Sequence, residues 1–259
     1  MEHELHNEQI KITIRDGQLS GLLYGGRQWM HNPADPGWGH SDAEMFPIIG
    51  PTAEVAYRVQ VPRGNALMDQ HGFLRDMPYE LLESGKKLKL GKEYPAGTPV
   101  ANPKFPDRST LRMHLWPYSC SISKTFKIQG DTVRVDFEIS GERDMPYMLG
   151  YHPAFALKTP DARIIARDQT YSITEIMAAG NRALQVADCS EVTLEDQGKL
   201  HLRATGFRHF MLWSPDPGMV CIEPVTFYPY DAGQSKLHEG FDFLTDGPVN
   251  FSLELRPEA

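Results

Sequence analysis

Cysteine is scarce. The three residues, Cys120, Cys189 and Cys221, are too few and too scattered for a disulfide framework or a CxxC-type zinc site, and they fit a reducing compartment. Positive charge is also short, with 26 Lys and Arg against 34 Asp and Glu and a net charge of -8. That balance excludes the clustered basic footprint of a nucleic-acid binder and a polybasic membrane anchor. No apolar run approaches the ~18 residues of a membrane-spanning helix. The opening MEHELHNEQI has neither the basic nor the apolar region of a secretion signal, so a cytoplasmic protein is expected. Helical periodicity is weak, with short candidates only at 41–46 and 236–244. GxGxxG after a strand, a Walker A loop, HExxH and GxSxG are all missing. Nucleotide chemistry, zinc hydrolysis and serine acyl transfer therefore drop in rank. No local motif asks for an organic cofactor or a metal.

What the chain does have is period two. Ile10, Ile12 and Ile14 alternate with Lys11, Thr13 and Arg15, the pattern of a half-buried strand. Hairpins are predicted at Gly25-Gly26, at Ser84-Gly85, and across 119–139, where Val133, Val135, Phe137 and Ile139 share one face. Further strands are expected at 110–116, 145–151, 162–175, 199–204, 207–213, 218–223 and 249–255. The 22 glycines and 20 prolines fall mostly between these segments, as turns should. Many short strands at regular spacing indicate an all-β fold, a large antiparallel sandwich or barrel. With no repeat and no break in composition, residues 1–259 read as a single domain. The Pro-rich stretch 92–108 is a long loop, a type often functional.

Three segments set ionisable groups among apolar or glycine-rich neighbours. In MDQHGFLRD (68–76), an extended chain puts His71, Phe73 and Arg75 on one side, and Gly72 permits close approach of a ligand or another backbone. These side chains could donate hydrogen bonds to a polyhydroxylated ligand stacked on the ring. Equally, Arg75 could pair with Asp69 or Asp76 while His71 caps a turn. In MLGYHPAF (148–155), His152 is either a satisfied core residue or an acid or base aimed into a cavity. In MVCIEPVTFYPYD (219–231), Glu223 follows a buried apolar run. Glutamate is rarely buried for packing alone, so it is either functional or half of an ion pair, with Arg75 or Arg208 as partner. A histidine and a glutamate on an all-β scaffold suit general acid–base work.

At these segments the chain resembles the aldose 1-epimerase (galactose mutarotase-like) family, in particular its smaller bacterial branch. FPIIG (46–50), QHGFLRD (70–76), GYHPAF (150–155), LWSPDPGMVCIEP (212–224) and the closing strand occur in the order that family shows. The resemblance implies a galactose mutarotase-like supersandwich, a large antiparallel β-sandwich with few short helices. It implies a small-molecule sugar as partner, no nucleic acid or membrane, and a monomer or homodimer. It makes His152 the general acid, protonated at the start, and Glu223 the general base. His71 and Arg75 become sugar ligands. Two departures stand out. Pro51 occupies the place of an arginine that often follows IIG, with Arg58 further along. None of the aspartates between the catalytic pair takes the place of the family's substrate-binding aspartate, for which Asn181 is the nearest substitute. Other readings on the same fold are a hexose-phosphate mutarotase, with Arg58, Arg63 and Lys104 as a basic cluster, and a non-catalytic carbohydrate-binding or sensor protein.

Overall fold

In the computed structural model, which describes residues 1–258, the alternating segments form strands as their period dictates. Ile10, Ile12 and Ile14 turn inward from the strand Ile10–Arg15. That strand lies between Glu2–His6 and Gln18–Tyr24 in a four-stranded sheet. The sheet closes through a turn at Gly25 and Gly26, with φ of 56° and 79°. A two-residue hairpin needs such values, and glycine reaches them without strain.

The largest sheet has nine antiparallel strands. Its central strand is Val249–Glu258, followed by the hairpin Thr132–Gly141/Cys120–Gln129 and then Lys87–Tyr94. A six-stranded sheet runs Leu184–Val186, His209–Trp213, Met219–Val225, Gly150–Tyr151, Glu44–Met45, and Ala154–Ala156 also pairs with Met219–Val225. The inward faces share one continuous apolar core; the Phe137 and Tyr151 rings meet across it with centroids 5.0 Å apart. The all-β sandwich is as expected. Burial of alternating side chains on facing sheets is its main source of stability. No helix among the described residues is long and apolar enough to cross a membrane. All three cysteines are free and buried.

Several local expectations are corrected. Segment 41–46 is not helical and contains the strand Glu44–Met45. Segment 145–151 is two short strands, Pro146–Tyr147 and Gly150–Tyr151, in different sheets. Segment 162–175 is a hairpin, Arg163–Ala166 and Gln169–Ser172, running into the α-helix Ile173–Ala178. Ser172 and Glu175 form a capping box there, so the S-x-x-E spacing was the missed signal. The other helical candidate is a 3-10 helix, Gln234–Gly240.

Candidate active site

His71, Arg75, His152 and Glu223 all line one cavity of about 730 Å³. Glu223 belongs to Met219–Val225, a strand whose seven residues are all buried. Both edges of that strand are paired, and alternation turns Glu223 and its cross-strand neighbour Met211 to the cavity wall, with Trp213 two residues on. His152 follows Gly150–Tyr151. Its N–H donates to the Ala43 carbonyl at 2.8 Å, and its own carbonyl accepts from the Ala43 N–H at 3.2 Å. Trp38 stacks on the imidazole with ring centroids 4.2 Å apart, and Trp213 meets it edge-on at 5.8 Å. Nε2 of His152 lies 3.4 Å from Oε1 of Glu223.

Neither Glu223 oxygen has a hydrogen-bond partner in the protein. Leaving buried polar atoms unpaired costs about 1–3 kcal/mol each, so the two oxygens mark a place for hydroxyl donors. The ion pairs considered from sequence do not form. Arg208 bonds to Asp242 and to the Thr226 carbonyl, and Arg75 makes no hydrogen bond or ion pair with another described residue. Burial pushes the Glu223 carboxyl well above its ordinary value. Burial, reinforced by the Arg75 charge, pushes the His152 imidazole down to about 3. Burial thus favours the neutral form of each group. Both shifts run toward an arrangement in which a proton shared by the pair rests on Glu223 rather than on His152. The resemblance implies the same proton count with the proton on the other partner. Groups this close titrate as a unit.

The QHGFLRD segment is not extended. His71 and Gly72 have φ of 74° and 65°, and Leu74–Asp76 is a turn of 3-10 helix. This sends Phe73 into the core against Tyr94, with centroids 4.5 Å apart, while His71 and Arg75 face the cavity. The aromatic walls of the cavity are instead Trp38 and Trp213. Nδ1 of His71 lies 2.8 Å from the Ile49 carbonyl. A carbonyl only accepts, so Nδ1 carries the hydrogen. Burial, with Arg75 adding, holds the ring neutral, leaving Nε2 as an acceptor rather than a donor.

Sequence reasoning missed Trp38, Trp213 and Arg108. Trp38 is a lone aromatic in a Pro- and Gly-rich loop, and that was the available signal. The loop expected to be functional delivers Lys104 and Arg108 to the cavity. Lys104 Nζ donates to Asp69 Oδ1 at 3.2 Å and to the Gln70 carbonyl at 3.1 Å, and Asn102 also donates to Asp69. The other suggested cations are elsewhere: Arg63 bonds to Glu142 and the Pro117 carbonyl, and Arg58 does not line the cavity. Pro51 and Asn181 both line it. Among the described residues, no group of three His, Cys, Asp or Glu side chains is arranged to hold a metal ion.

Comparison with known proteins decides the family. The aldose 1-epimerase profile matches residues 29–209, well over half of the sequence. The chain belongs to the aldose 1-epimerase family. The matched region includes His71, Arg75 and His152 and ends before Glu223. The galactose mutarotase related enzyme of Lactobacillus acidophilus superposes with a TM-score of 0.80 at 16% identity, covering 100% of this chain and 98% of that one. A galactose mutarotase-like protein of Lactobacillus casei gives 0.76 at 15% identity, with both chains covered completely. At such identities the likeness concerns the fold. Protein LacX (plasmid) of Lactococcus lactis subsp. lactis is 27% identical over 165 residues, 60% of this chain and 50% of LacX. The match thus spans about half the length of that curated relative.

Proposed function

We propose that this aldose 1-epimerase family member interconverts the α- and β-anomers of a hexose or related aldose, with His152 and Glu223 as the proton-transferring pair. The observation that carries the reading is the approach of His152 Nε2 to within 3.4 Å of an otherwise unpartnered Glu223 oxygen on the wall of a sugar-sized cavity. Ring opening of a hemiacetal needs one proton taken from the anomeric hydroxyl and one given to the ring oxygen. A pair holding a single proton does both in one passage. In the state favoured by burial, Glu223 gives its proton to the ring oxygen and His152 Nε2 receives the anomeric proton. The C1–C2 bond then rotates in the open aldehyde, and closure on the other carbonyl face returns each proton. His71 Nε2 accepts from a sugar hydroxyl and Arg75 donates to hydroxyl or ring oxygens, while Trp38 and Trp213 offer apolar faces. The test is polarimetry from pure α-anomers with the wild type, His152→Ala and Glu223→Gln. Sugar binding without rate above the buffer background in the wild type would replace this reading with that of a carbohydrate-binding protein.

One observation favours an anionic sugar, such as a hexose phosphate, as substrate. Arg75 and Arg108 carry guanidinium groups to the cavity without a carboxylate ion pair, and Lys104 stands with them. Asp69, the carboxylate that lines the cavity with them, is already held by Lys104 and Asn102. Guanidinium groups free to form paired hydrogen bonds suit a phosphate or carboxylate substituent. Phosphorylated and acidic sugars therefore belong in the polarimetry panel.

A further inference from the structure

Four charges are buried directly behind the site. Lys124, wholly buried on the strand Cys120–Gln129, donates to Asp42 Oδ1 at 2.9 Å, to Glu44 Oε1 at 2.7 Å and to the Gly17 carbonyl at 3.1 Å. Lys92 donates to the Leu74 carbonyl at 2.7 Å and lies 3.6 Å from Glu44 Oε2. The remaining Asp42 oxygen accepts from the Leu19 N–H at 2.7 Å and from the Tyr151 hydroxyl at 2.5 Å. Such a cluster is a poor device for stability, because well-packed apolar side chains of the same volume are often as stable or more so. Its connections lead to the site instead. Asp42 and Glu44 flank Ala43, which makes both backbone bonds to His152. Tyr151 is the residue before His152, and Leu74 is the residue before Arg75.

We propose that Lys124 and Lys92 are positioning residues, and that the buried cluster they form with Asp42 and Glu44 holds the His152 strand and the Arg75 turn in register. This rests on the reading of His152 as a proton-transfer group and Arg75 as a substrate ligand. The two arms of the cluster serve different steps. The Lys124–Asp42–Tyr151 arm reaches the proton-transfer pair, and the Lys92 arm reaches the turn that carries a substrate contact. Loosening the first affects turnover; loosening the second affects binding.

The experiment compares Tyr151→Phe and Lys92→Met in the full-length protein. Tyr151→Phe removes one hydroxyl and is expected to lower kcat about tenfold with KM little changed, since small misplacements of reacting groups are costly. Lys92→Met is expected to raise KM several-fold with kcat little changed. A merely structural cluster gives no such split: both constants stay unchanged or fall together with thermal stability, and that result overturns the proposal. Because Lys124→Met leaves Asp42 buried without its cation, while Glu44 keeps Lys92, it is tested as Lys124→Met/Asp42→Asn. Recovery of stability without recovery of kcat is expected, and joint recovery counts against positioning. The imidazole resonances of His152, assigned by their loss in His152→Gln, are a readout independent of turnover. They should move in Tyr151→Phe and stay in place in Lys92→Met. Absence of turnover on every sugar would defeat the proposed function alone. An unmoved His152 resonance in Tyr151→Phe would defeat the positioning role even in an active enzyme.

Discussion

His152 Nε2 and Glu223 Oε1 stand 3.4 Å apart, with the other face of the imidazole covered by Trp38. In the proposed reaction the two groups act on one substrate as proton donor and proton acceptor, so neither is useful alone. His152→Ala and Glu223→Gln are each expected to lower kcat by about 10²–10⁴. The double variant should cost little more than the worse single one, as for groups that work as a unit. Polarimetric rates on the three variants check this. Additive losses in the double variant would mean that the two side chains serve separate steps.

The proposed reaction needs one proton on the pair, which sets the shape of the pH profile. Below the acid limb His152 and Glu223 both carry a proton, and no base remains. Above the alkaline limb neither does, and no acid remains. With His152 pushed down to about 3 and Glu223 raised well above its ordinary value, kcat/KM should rise in strong acid and fall only above the usual carboxylate range. After subtraction of the buffer-catalysed rate, the residual activity of Glu223→Gln should lack the alkaline limb. An alkaline limb that persists in this variant assigns it to another group.

Much of this site was legible because it depends on residue type and order. A glutamate directly after the run Met219–Ile222 had no packing reason to be there, and the structure gives it no hydrogen-bond partner in the protein. The hairpins announced themselves through alternation and glycine pairs. The side-chain directions in QHGFLRD did not, since positive φ at His71 and Gly72 breaks the period-two rule that put Phe73 beside Arg75. Trp38 and Arg108 reach the cavity from loops, where no periodicity says which way a side chain points. The direction of the two pKa shifts was also hidden. It follows from burial of His152 and Glu223 together, a property of packing that neither segment carries by itself.

A buried neutral histidine also affects acid stability. The folded-state value of His152 is about 3 against an ordinary 6.5, so between these the unfolded chain binds a proton that the folded chain does not. The His152 contribution to stability is therefore lost as pH falls through this window, by about 1.4 kcal/mol per pH unit for one proton, while the raised Glu223 carboxyl contributes in the opposite sense. His152→Gln removes one proton from that slope while leaving the contributions of His71 and His114. Urea unfolding at several pH values between about 4 and 6 measures it. The variant should show a shallower loss than the wild type, and an unchanged slope would contradict the burial of a neutral imidazole.

If the substrate carries an anionic substituent, Lys104 and Arg108 should tell it apart from a neutral sugar. Lys104→Met and Arg108→Met are each expected to raise KM for a phosphorylated or acidic aldose by about tenfold or more, as loss of a charge-assisted hydrogen bond does. KM for neutral aldoses should change little in Arg108→Met. Raised salt should weaken binding of the anionic sugar alone. Equal effects on both classes would make these cations contacts to hydroxyl groups and leave the neutral hexose as the substrate.

Gly72 holds the turn that carries His71, and two separate constraints act on it. Its φ is +65°, and a Cβ there would lie 2.1 Å from the Phe46 carbonyl oxygen, a backbone atom that cannot swing aside. Gly97 supplies the control: its φ of +74° is similar, but a Cβ would meet nothing within 4 Å. Gly97→Ala should cost only the left-handed backbone penalty, about 1–2 kcal/mol. Gly72→Ala must in addition push the Phe46 peptide away from the turn, and its cost should reach about 4 kcal/mol or more. Displacing that peptide also shifts His71, whose N–H and ring both bond to the Ile49 carbonyl, so KM for sugar should rise in any Gly72→Ala protein that folds. Thermal unfolding of the two variants separates the terms. Equal losses at the two positions would mean that the Phe46 backbone yields, and that the turn is held by its backbone conformation alone.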